Sequence, residues 1–143
     1  MNIETLIEKT TEAVAAIPYL AGRPVITDER GDTSNELDKN IAKTNFAAIV
    51  GWNGYDADAN SSKTVYGKVN VVVSLYERPV VNRKITGAPT LLNAAQEIAK
   101  AVNLFTAGGM NSPLVFTRIT PVQELGDGKT IACDVHFETK ATL

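Results

Sequence analysis

Apolar and polar side chains alternate along the segment from Thr64 to Tyr76. Because successive side chains of a strand point to opposite faces, this alternation predicts a strand with one buried and one exposed face. The predicted buried face comprises Val65, Val69, Val71, Val73 and Leu75. The opposite face comprises Tyr66, Lys68, Asn70 and Ser74.

The segment that follows, from Ala88 to Phe105, has the spacing of an amphipathic helix. Pro89 suits the first helical turn, where its missing N–H needs no partner, and Gly108 and Gly109 are typical of a helix end. The apolar stripe of this helix comprises Leu91, Leu92, Ala95, Ile98, Ala99, Val102 and Phe105. The long strand and this helix are therefore expected to share one core.

Weaker patterns predict further elements on both sides of this pair. Before it we expect an N-terminal helix, which Asn2 caps and Pro18 ends, and then a short strand at Val25 and Ile26. An exposed charged turn at 28–32 is expected next. It is followed by a short helix capped by Ser34, with Leu37 and Ile41 on one side, and by a buried strand over 46–52. After it we expect an antiparallel pair of strands, Leu114 to Thr120 and Ile131 to Thr139.

The element order is thus helix, strand, short helix, strand, strand, helix, strand, strand. It predicts an α+β fold with a mixed or antiparallel sheet covered by two main helices. At 143 residues the chain has the usual length of one domain, and we expect a single domain over residues 1–143.

Composition narrows the classes of partner. Fourteen Lys and Arg residues against 16 Asp and Glu residues give a formal charge of −2, which supplies no overall attraction to nucleic acid or anionic lipid. No basic leader and no apolar run of about 20 residues is present, so we expect neither a signal peptide nor a membrane span. The single cysteine, Cys133, excludes an internal disulfide, which suits the cytoplasm.

Two short motifs imitate known binding loops without completing them. Gly128-Lys129-Thr130 resembles the end of a phosphate-binding loop, but Gln123 replaces the first glycine and a predicted strand follows, so a hairpin turn is favoured. The 56–60 segment resembles the start of a calcium loop, but Ser61 and Gly67 replace the required glycine and glutamate. We predict a solvated acidic loop there, with weak calcium binding as the alternative.

His136 is the only histidine, and Asp134 and Glu138 flank it at alternate positions of the last strand. Such a row can orient an imidazole for general-base work, but no nucleophile motif accompanies it, so a solvated or partner-facing strand surface is favoured. Cys133 is predicted to be a small core residue. With one histidine, one cysteine and no dinucleotide-binding motif, we expect no metal and no cofactor.

The order of elements and the residue patterns of three segments resemble those of a known family. These segments are VYGKVNVVVSLYERP at 65–79, PTLLNAAQEIAKAV at 89–102 and IACDVHFETKATL at 131–143. With the N-terminal helix, they resemble the tail-terminator or tail-completion proteins, including minor tail proteins, of long-tailed bacteriophages and prophages.

The resemblance implies a non-catalytic α+β protomer that forms a ring, commonly a hexamer, on the end of the tail tube. There it would stop tube polymerisation and present a surface for head joining. The implied partners are other copies of the chain, the tail tube protein and a head-completion protein, with no nucleic acid and no membrane. The implied location is the virion tail, and the bacterial host cytoplasm during assembly.

Interface residues follow from this sequence alone. The small polar run at 53–62 is predicted to be a long loop that contacts the tube or a neighbouring subunit through Tyr55, Asp56 and Asp58. The connector at 77–84 is predicted to pair Arg78, Arg83 and Lys84 with acidic residues across a subunit interface.

Two other functions remain as alternatives. An exposed strand edge is sufficient for a non-enzymatic ligand- or peptide-binding module. A small enzyme using His136 is less favoured, because it requires a pocket and a partner from another element.

Overall fold

The computed structural model describes residues 2–28, 34–59, 63–107 and 109–143. The elements in chain order are α1 (Ile3–Ala15), a 3₁₀ turn (Pro18–Leu20), β1 (Val25–Thr27), α2 (Ser34–Thr44), β2 (Phe46–Ala57), β3 (Tyr66–Glu77), α3 (Pro79–Asn82), α4 (Leu91–Val102), β4 (Val115–Ile119), β5 (Gln123–Glu124) and β6 (Ile131–Thr142).

The strands of the described residues form one six-stranded sheet in the order β1-β2-β3-β6-β4, with β5 paired to β6. β1 is parallel to β2, and the other pairs are antiparallel. The centre of the sheet consists of β2, β3 and β6, which are 12 residues long each. The predicted α+β fold with a mixed sheet is therefore confirmed.

The main core lies between one face of this sheet and the two helices α1 and α4. Val69, Val71, Val73 and Leu75 of β3 are fully buried on that face, as the alternation predicted. Val65 was predicted on the same face, but it precedes β3 and is exposed. β6 contributes Cys133, Val135 and Phe137 to the same core, which confirms the predicted position of Cys133. The Asn2 side chain accepts a hydrogen bond from the Thr5 N–H, so the predicted cap of α1 is also confirmed.

The opposite face of the sheet is covered at β2 by α2. Ala48 and Val50 belong to the main core, whereas the alternate residues Ala47 and Ile49 point to the other face and are buried too. Both faces of the first half of β2 are therefore apolar, which explains its continuous apolar run.

The predicted loop at 53–62 is wrong in its first half. β2 continues to Ala57, so Tyr55 and Asp56 are strand residues that pair with Val69 and Lys68 of β3. The register shifts between Trp52 and Tyr55, and Gly54 has a φ of 99°. A glycine bulge of this kind lets a strand continue through a polar sequence that resembles a loop. Residues 60–62, and residues 29–32 of the predicted charged turn, lie outside the described residues.

Both boundaries of α4 and two short elements also differ from prediction. α4 begins at Leu91, after Pro89, and ends at Val102, well before the predicted glycine stop. Leu104 has a φ of 65° and its N–H bonds to the Leu114 carbonyl, so chain reversal toward β4 ends the helix. The 77–84 connector contains the helical turn α3, and the two-residue strand β5 was not predicted.

Candidate interface surfaces at two ends of the sheet

The predicted contact residues lie at opposite ends of the long strands. Arg78, Arg83 and Lys84 follow the last residue of β3, whereas Asp56 pairs with Lys68 near its first residue. At about 3.3 Å per residue, the ten steps from Gly67 to Glu77 separate these two ends by about 33 Å. The structure therefore brings Tyr55, Asp56 and Asp58 together, and Arg78, Arg83 and Lys84 together, but not the two groups with each other.

The first end carries an apolar surface built around α3. Pro79 stands at the first helical position, which its fixed φ favours, and the next two residues, Val80 and Val81, are 71% and 47% exposed. Leu91 and Leu92 were both predicted to face the core, but adjacent helix positions point in different directions, so Leu91 is buried and Leu92 is 54% exposed. We call this the α3 surface, comprising Pro79, Val80, Val81, Leu92, Val122 and Ile131 with the basic residues Arg78, Arg83, Lys84 and Lys129 at its rim.

Two clefts meet at Pro79 and Ile131 on the α3 surface. One has a volume of about 540 Å³ and is lined by Arg78, Val80, Val81, Glu124 and Lys129, among others. The other has a volume of about 510 Å³ and is lined by Arg83, Leu92 and Val122, among others. The α3 surface is thus concave on both sides of a shared apolar ridge, which is the shape that side chains of a partner can enter.

A buried hydrogen-bond network holds α3 in place. The Glu77 carboxylate, whose residue is 5% exposed, accepts hydrogen bonds from the Asn82 side-chain amide at 2.7 Å and from the Leu91 N–H at 3.3 Å. The Asn82 amide also donates to the Pro89 carbonyl at 2.7 Å. Glu77 therefore joins the end of β3, the turn α3 and the first residue of α4, which makes the α3 surface a fixed shape.

The rim of the α3 surface carries both signs of charge, with Glu124 and Asp127 beside the basic side chains. The Nε atom of Arg78 is buried and has no hydrogen-bond partner among the described residues. The nearby turn is closed by Asp127, which accepts from the Lys129 N–H at 2.9 Å and from the Thr130 N–H and hydroxyl at 2.9 and 2.7 Å. These hydrogen bonds, with a smaller contribution from Arg78, lower the pKa of Asp127 to about 2. The Gly128-Lys129-Thr130 motif is thus part of the predicted hairpin turn.

The second end, which we call the β2–β3 tip, comprises Tyr55, Asp56, Asp58, Val65 and Tyr66. The Tyr55 hydroxyl donates to the Ala141 carbonyl at 3.0 Å and lies 3.3 Å from the Val65 carbonyl, so it ties β6 to the tip. Burial and the Asp58 charge raise the pKa of Tyr55. Val65 and Tyr66 are 38% and 47% exposed.

Hydrogen bonds to β3 hold the two aspartates of the β2–β3 tip. The Asp56 carboxylate accepts a hydrogen bond from the Asn70 side chain at 2.8 Å. The Asp58 N–H donates to the Tyr66 carbonyl at 2.8 Å. Tyr55 thus positions the tip, while Val65, Tyr66 and the aspartates are exposed among its described residues.

The other candidate residues belong to neither surface. His136 pairs in register with Val72 of β3 and Arg118 of β4, and its carbonyl accepts from the Thr117 hydroxyl. Burial raises the pKa of Cys133 to about 11, so its thiol stays protonated at neutral pH.

Within the described ranges, no three His, Cys, Asp or Glu side chains are grouped so that they could hold a metal ion. No helix of those ranges is both long and apolar enough to cross a membrane.

Comparison with solved structures gives a match over nearly the whole chain. This chain is similar in fold to a virion protein chain. That chain belongs to the structure "Virion of native gene transfer agent (GTA) particle", with a TM-score of 0.54 and 14% identity over 96% of this chain and 92% of that chain. No protein-family model matches the sequence, and no curated protein matches it. At 14% identity the likeness establishes a shared fold.

Sequence reasoning identified the basic rim but missed the apolar centre of the α3 surface. The apolar residues of this surface come from α3, α4, the β5 region and β6, so no local pattern groups them. One signal was available. Val80 and Val81 follow directly on a charged Glu77-Arg78 pair and a proline, where an apolar pair has no predicted strand or helix face to join.

Proposed function

We propose that this protein is a structural component of a phage-like virion, which caps the tail tube as a ring, ends tube polymerisation and provides the surface for head joining. The observation that carries the proposal is the fold likeness to a chain of a gene transfer agent virion, which extends over 96% of this chain. The resemblance of the sequence to tail-terminator proteins supports the finer assignment to the tail.

The distribution of exposed apolar residues supports a role in assembly. The α3 surface and the β2–β3 tip lie at opposite ends of the protomer, and each combines exposed apolar and charged side chains. Contacts between two different surfaces of identical subunits generate rings when the rotation closes. A protomer with two such ends fits a ring whose remaining faces meet the tail tube protein and a head-completion protein.

The proposed role is non-catalytic. It requires no cofactor, nucleic acid or membrane, and it places the protein in the virion tail after assembly in the bacterial host cytoplasm. The half-buried row Asp134, His136 and Glu138 then serves as part of the sheet surface rather than as an acid–base site.

Strand β4 favours a second candidate function, the binding of an added peptide strand. β4 lies at the edge of the sheet, and Val115 on it is 42% exposed. However, its register shifts between Phe116 and Arg118 and Pro121 follows it, and both features weaken an edge as a template for pairing.

The mass of the purified protein in solution tests the proposal. Light scattering after size exclusion, followed by negative-stain imaging, is expected to show closed rings, alone or after addition of tail tubes from the same virus. A protein that stays monomeric at every concentration, and that does not sediment with tail tubes, would overturn the proposed ring. Binding of short extended peptides by such a monomer would then favour the β4 alternative.

A further inference from the structure

One of the two clefts of the α3 surface is lined by Arg78, Val80, Val81 and Lys129, among others, and we call it the Arg78 cleft. We propose that the Arg78 cleft binds an acidic peptide segment of a partner protein, with a carboxylate on Arg78 and an apolar side chain beside Val80 and Val81. The inference goes beyond the proposed ring, because one protomer contains the whole cleft and no second copy is required.

The Arg78 cleft has the size and the walls of a binding site. Its volume of about 540 Å³ lies within the range of roughly 300–1,000 Å³ that is usual for ligand sites. Pro79, Val80, Val81 and Ile131 supply apolar walls, and Val80 is 71% exposed. Because such walls are costly to hydrate, an apolar group that covers them gains free energy.

Arg78 lacks the partner that an enclosed guanidinium requires. Its Nε atom is buried without a hydrogen-bond partner, and among the described residues its side chain takes part in no hydrogen bond or ion pair. Buried polar groups are nearly always paired in folded proteins, so an exception needs an explanation. Since Arg78 lines the cleft, an anion bound there can accept hydrogen bonds from the outer nitrogens of the guanidinium.

The other charges of the Arg78 cleft leave Arg78 uncompensated. Glu124 and Lys129 are both exposed and opposite in sign, so they offset each other at the solvated rim. The Asp127 carboxylate already accepts three hydrogen bonds from Lys129 and Thr130, and it forms no ion pair with Arg78. Charge complementarity therefore favours a ligand with one negative charge.

A carboxylate suits the Arg78 cleft better than a phosphate group. Phosphates are usually held by several free backbone N–H groups. Here the N–H groups of Lys129 and Thr130 donate to Asp127, and that of Gly128 donates to the Leu125 carbonyl. A carboxylate requires only the planar guanidinium, with which it can form two parallel hydrogen bonds.

The walls of the Arg78 cleft are fixed before anything binds. The Asn82 side chain donates to the buried Glu77 carboxylate at 2.7 Å, and the Arg78 N–H donates to the Asn45 carbonyl at 3.0 Å. A partner therefore loses its own conformational freedom but does not have to order the site. A short segment with one Asp or Glu beside one apolar residue is sufficient to fill it.

Disulfide capture of two matched peptides tests the proposal. Val80→Cys places a thiol at the wall of the Arg78 cleft, whereas the native Cys133 is 3% exposed and does not compete. The probes are acetyl-Cys-Leu-Glu-amide and acetyl-Cys-Leu-Gln-amide, which differ in one charge. In a redox buffer that contains both, mass spectrometry is expected to show the Glu peptide captured at least about fivefold more often, the factor that one hydrogen bond provides.

Variants in the Val80→Cys protein locate the source of this preference. Arg78→Met is expected to abolish it, and Arg78→Lys is expected to keep part of it, because lysine retains the charge without the planar fork. Arg83→Met is the matched control, since Arg83 lines the neighbouring cleft, and it should leave the preference unchanged. Equal capture of the two peptides by Val80→Cys, or a preference that survives Arg78→Met, overturns the proposal.

Two further results of the same experiment are decisive. Disulfide-linked dimers of Val80→Cys in place of peptide conjugates mean that a second copy covers the cleft, which also overturns the proposal. Light scattering reports ring formation separately. Rings without a preference for the Glu peptide overturn this inference alone, whereas monomers that show the preference overturn only the proposed ring.

Discussion

The end of β2 packs so closely against Gly67 of β3 that it leaves no room for a side chain there. A Cβ atom at Gly67 would collide with the Asp56 carbonyl and would lie 2.9 Å from both the Ala57 Cα atom and the Tyr55 ring. Two of these neighbours are backbone atoms, which cannot move away without breaking the β2–β3 pairing. This position therefore requires glycine, because a Cβ atom does not fit there.

We expect Gly67→Ala to lower the free energy of unfolding by about 1–3 kcal/mol, the usual cost of overpacking. The matched control is Gly126→Ala, because a Cβ atom at Gly126 meets nothing within 4 Å. That control should change stability by no more than about 0.5 kcal/mol. Urea unfolding of both variants measures the difference, and equal stabilities would contradict the steric argument.

Asp127 makes the stability of the hairpin turn dependent on pH. Its pKa is lowered from 3.8 to about 2 in the folded protein by the hydrogen bonds from Lys129 and Thr130. A carboxyl group with a lowered folded pKa stabilises the fold fully above its unfolded pKa and loses that contribution as the pH falls through the folded value. The contribution of Asp127 should therefore be complete above about pH 5 and disappear between about pH 4 and pH 2.

The measurement is the difference in unfolding free energy between the wild type and Asp127→Asn from pH 6 down to pH 2. We expect the wild type to be more stable at pH 6 and the difference to shrink toward pH 2. A difference that stays constant over this range would show that the charge of Asp127 does not stabilise the turn.

At the scale of the elements, Glu77 decides how β3 is joined to α4. Its carboxylate binds the Asn82 side chain and the Leu91 N–H, and the first N–H groups of a helix otherwise lack partners. Glu77→Ala leaves these donors buried, so we expect a loss of about 1–3 kcal/mol in unfolding free energy. Glu77→Gln keeps only one accepting oxygen and should fall between the wild type and Glu77→Ala.

Glu97→Ala is the matched control for Glu77. Glu97 lies on α4 and pairs at its surface with Lys100 at 2.9 Å. Exposed pairs of this kind contribute little, so we expect a change within about 0.5 kcal/mol. Chemical denaturation compares the variants, and a Glu77→Ala protein as stable as Glu97→Ala would argue against the capping role.

At the scale of the whole molecule, the proposed ring would bring together the two ends of the sheet, which lie apart within one protomer. If Asp58 and Arg83 meet between subunits, Asp58→Lys and Arg83→Glu should each raise the protein concentration for half assembly by about tenfold or more, because like charges are then juxtaposed. Combining the two reversals should restore assembly, since every interface again has opposite charges. Sedimentation or light scattering over a concentration series provides the measurement.

Arg118→Glu is the control for charge reversal away from both ends, because Arg118 is exposed on β4 and pairs with His136, which pairs with Val72 in the middle of β3. It should leave assembly unchanged. A combined Asp58→Lys and Arg83→Glu protein that assembles no better than either single variant would show that these two residues do not face each other.

Much of the fold was predictable because its signals are local. The alternation in β3, the apolar spacing of α1 and α4 and the cap at Asn2 each depend on a few neighbouring residues. Each appears in the structure, except that Val65 and Leu92 are exposed. The errors occur where a distant residue decides a boundary. The Glu77 carboxylate bonds to the first N–H of α4 and so decides where the helix begins. The helix ends where Leu104 pairs with Leu114. Pairing with β3 keeps β2 extended through its glycine bulge.

The candidate site was predictable in part for the same reason. Its charged residues are conspicuous in the sequence, and the structure places the two predicted groups at opposite ends of the long strands. Its apolar centre was not predictable, because Val80, Leu92, Val122 and Ile131 are scattered along the chain and meet only after folding.

By itself, then, the sequence determined an α+β domain with a half-buried central strand and an amphipathic helix above it, because periodicity is a property of the chain. Only the tertiary structure decided that Pro79 and Ile131 form a ridge between two clefts, and that the acidic and basic groups lie about 33 Å apart. These are properties of strand register and of element packing, which depend on the whole set of long-range contacts.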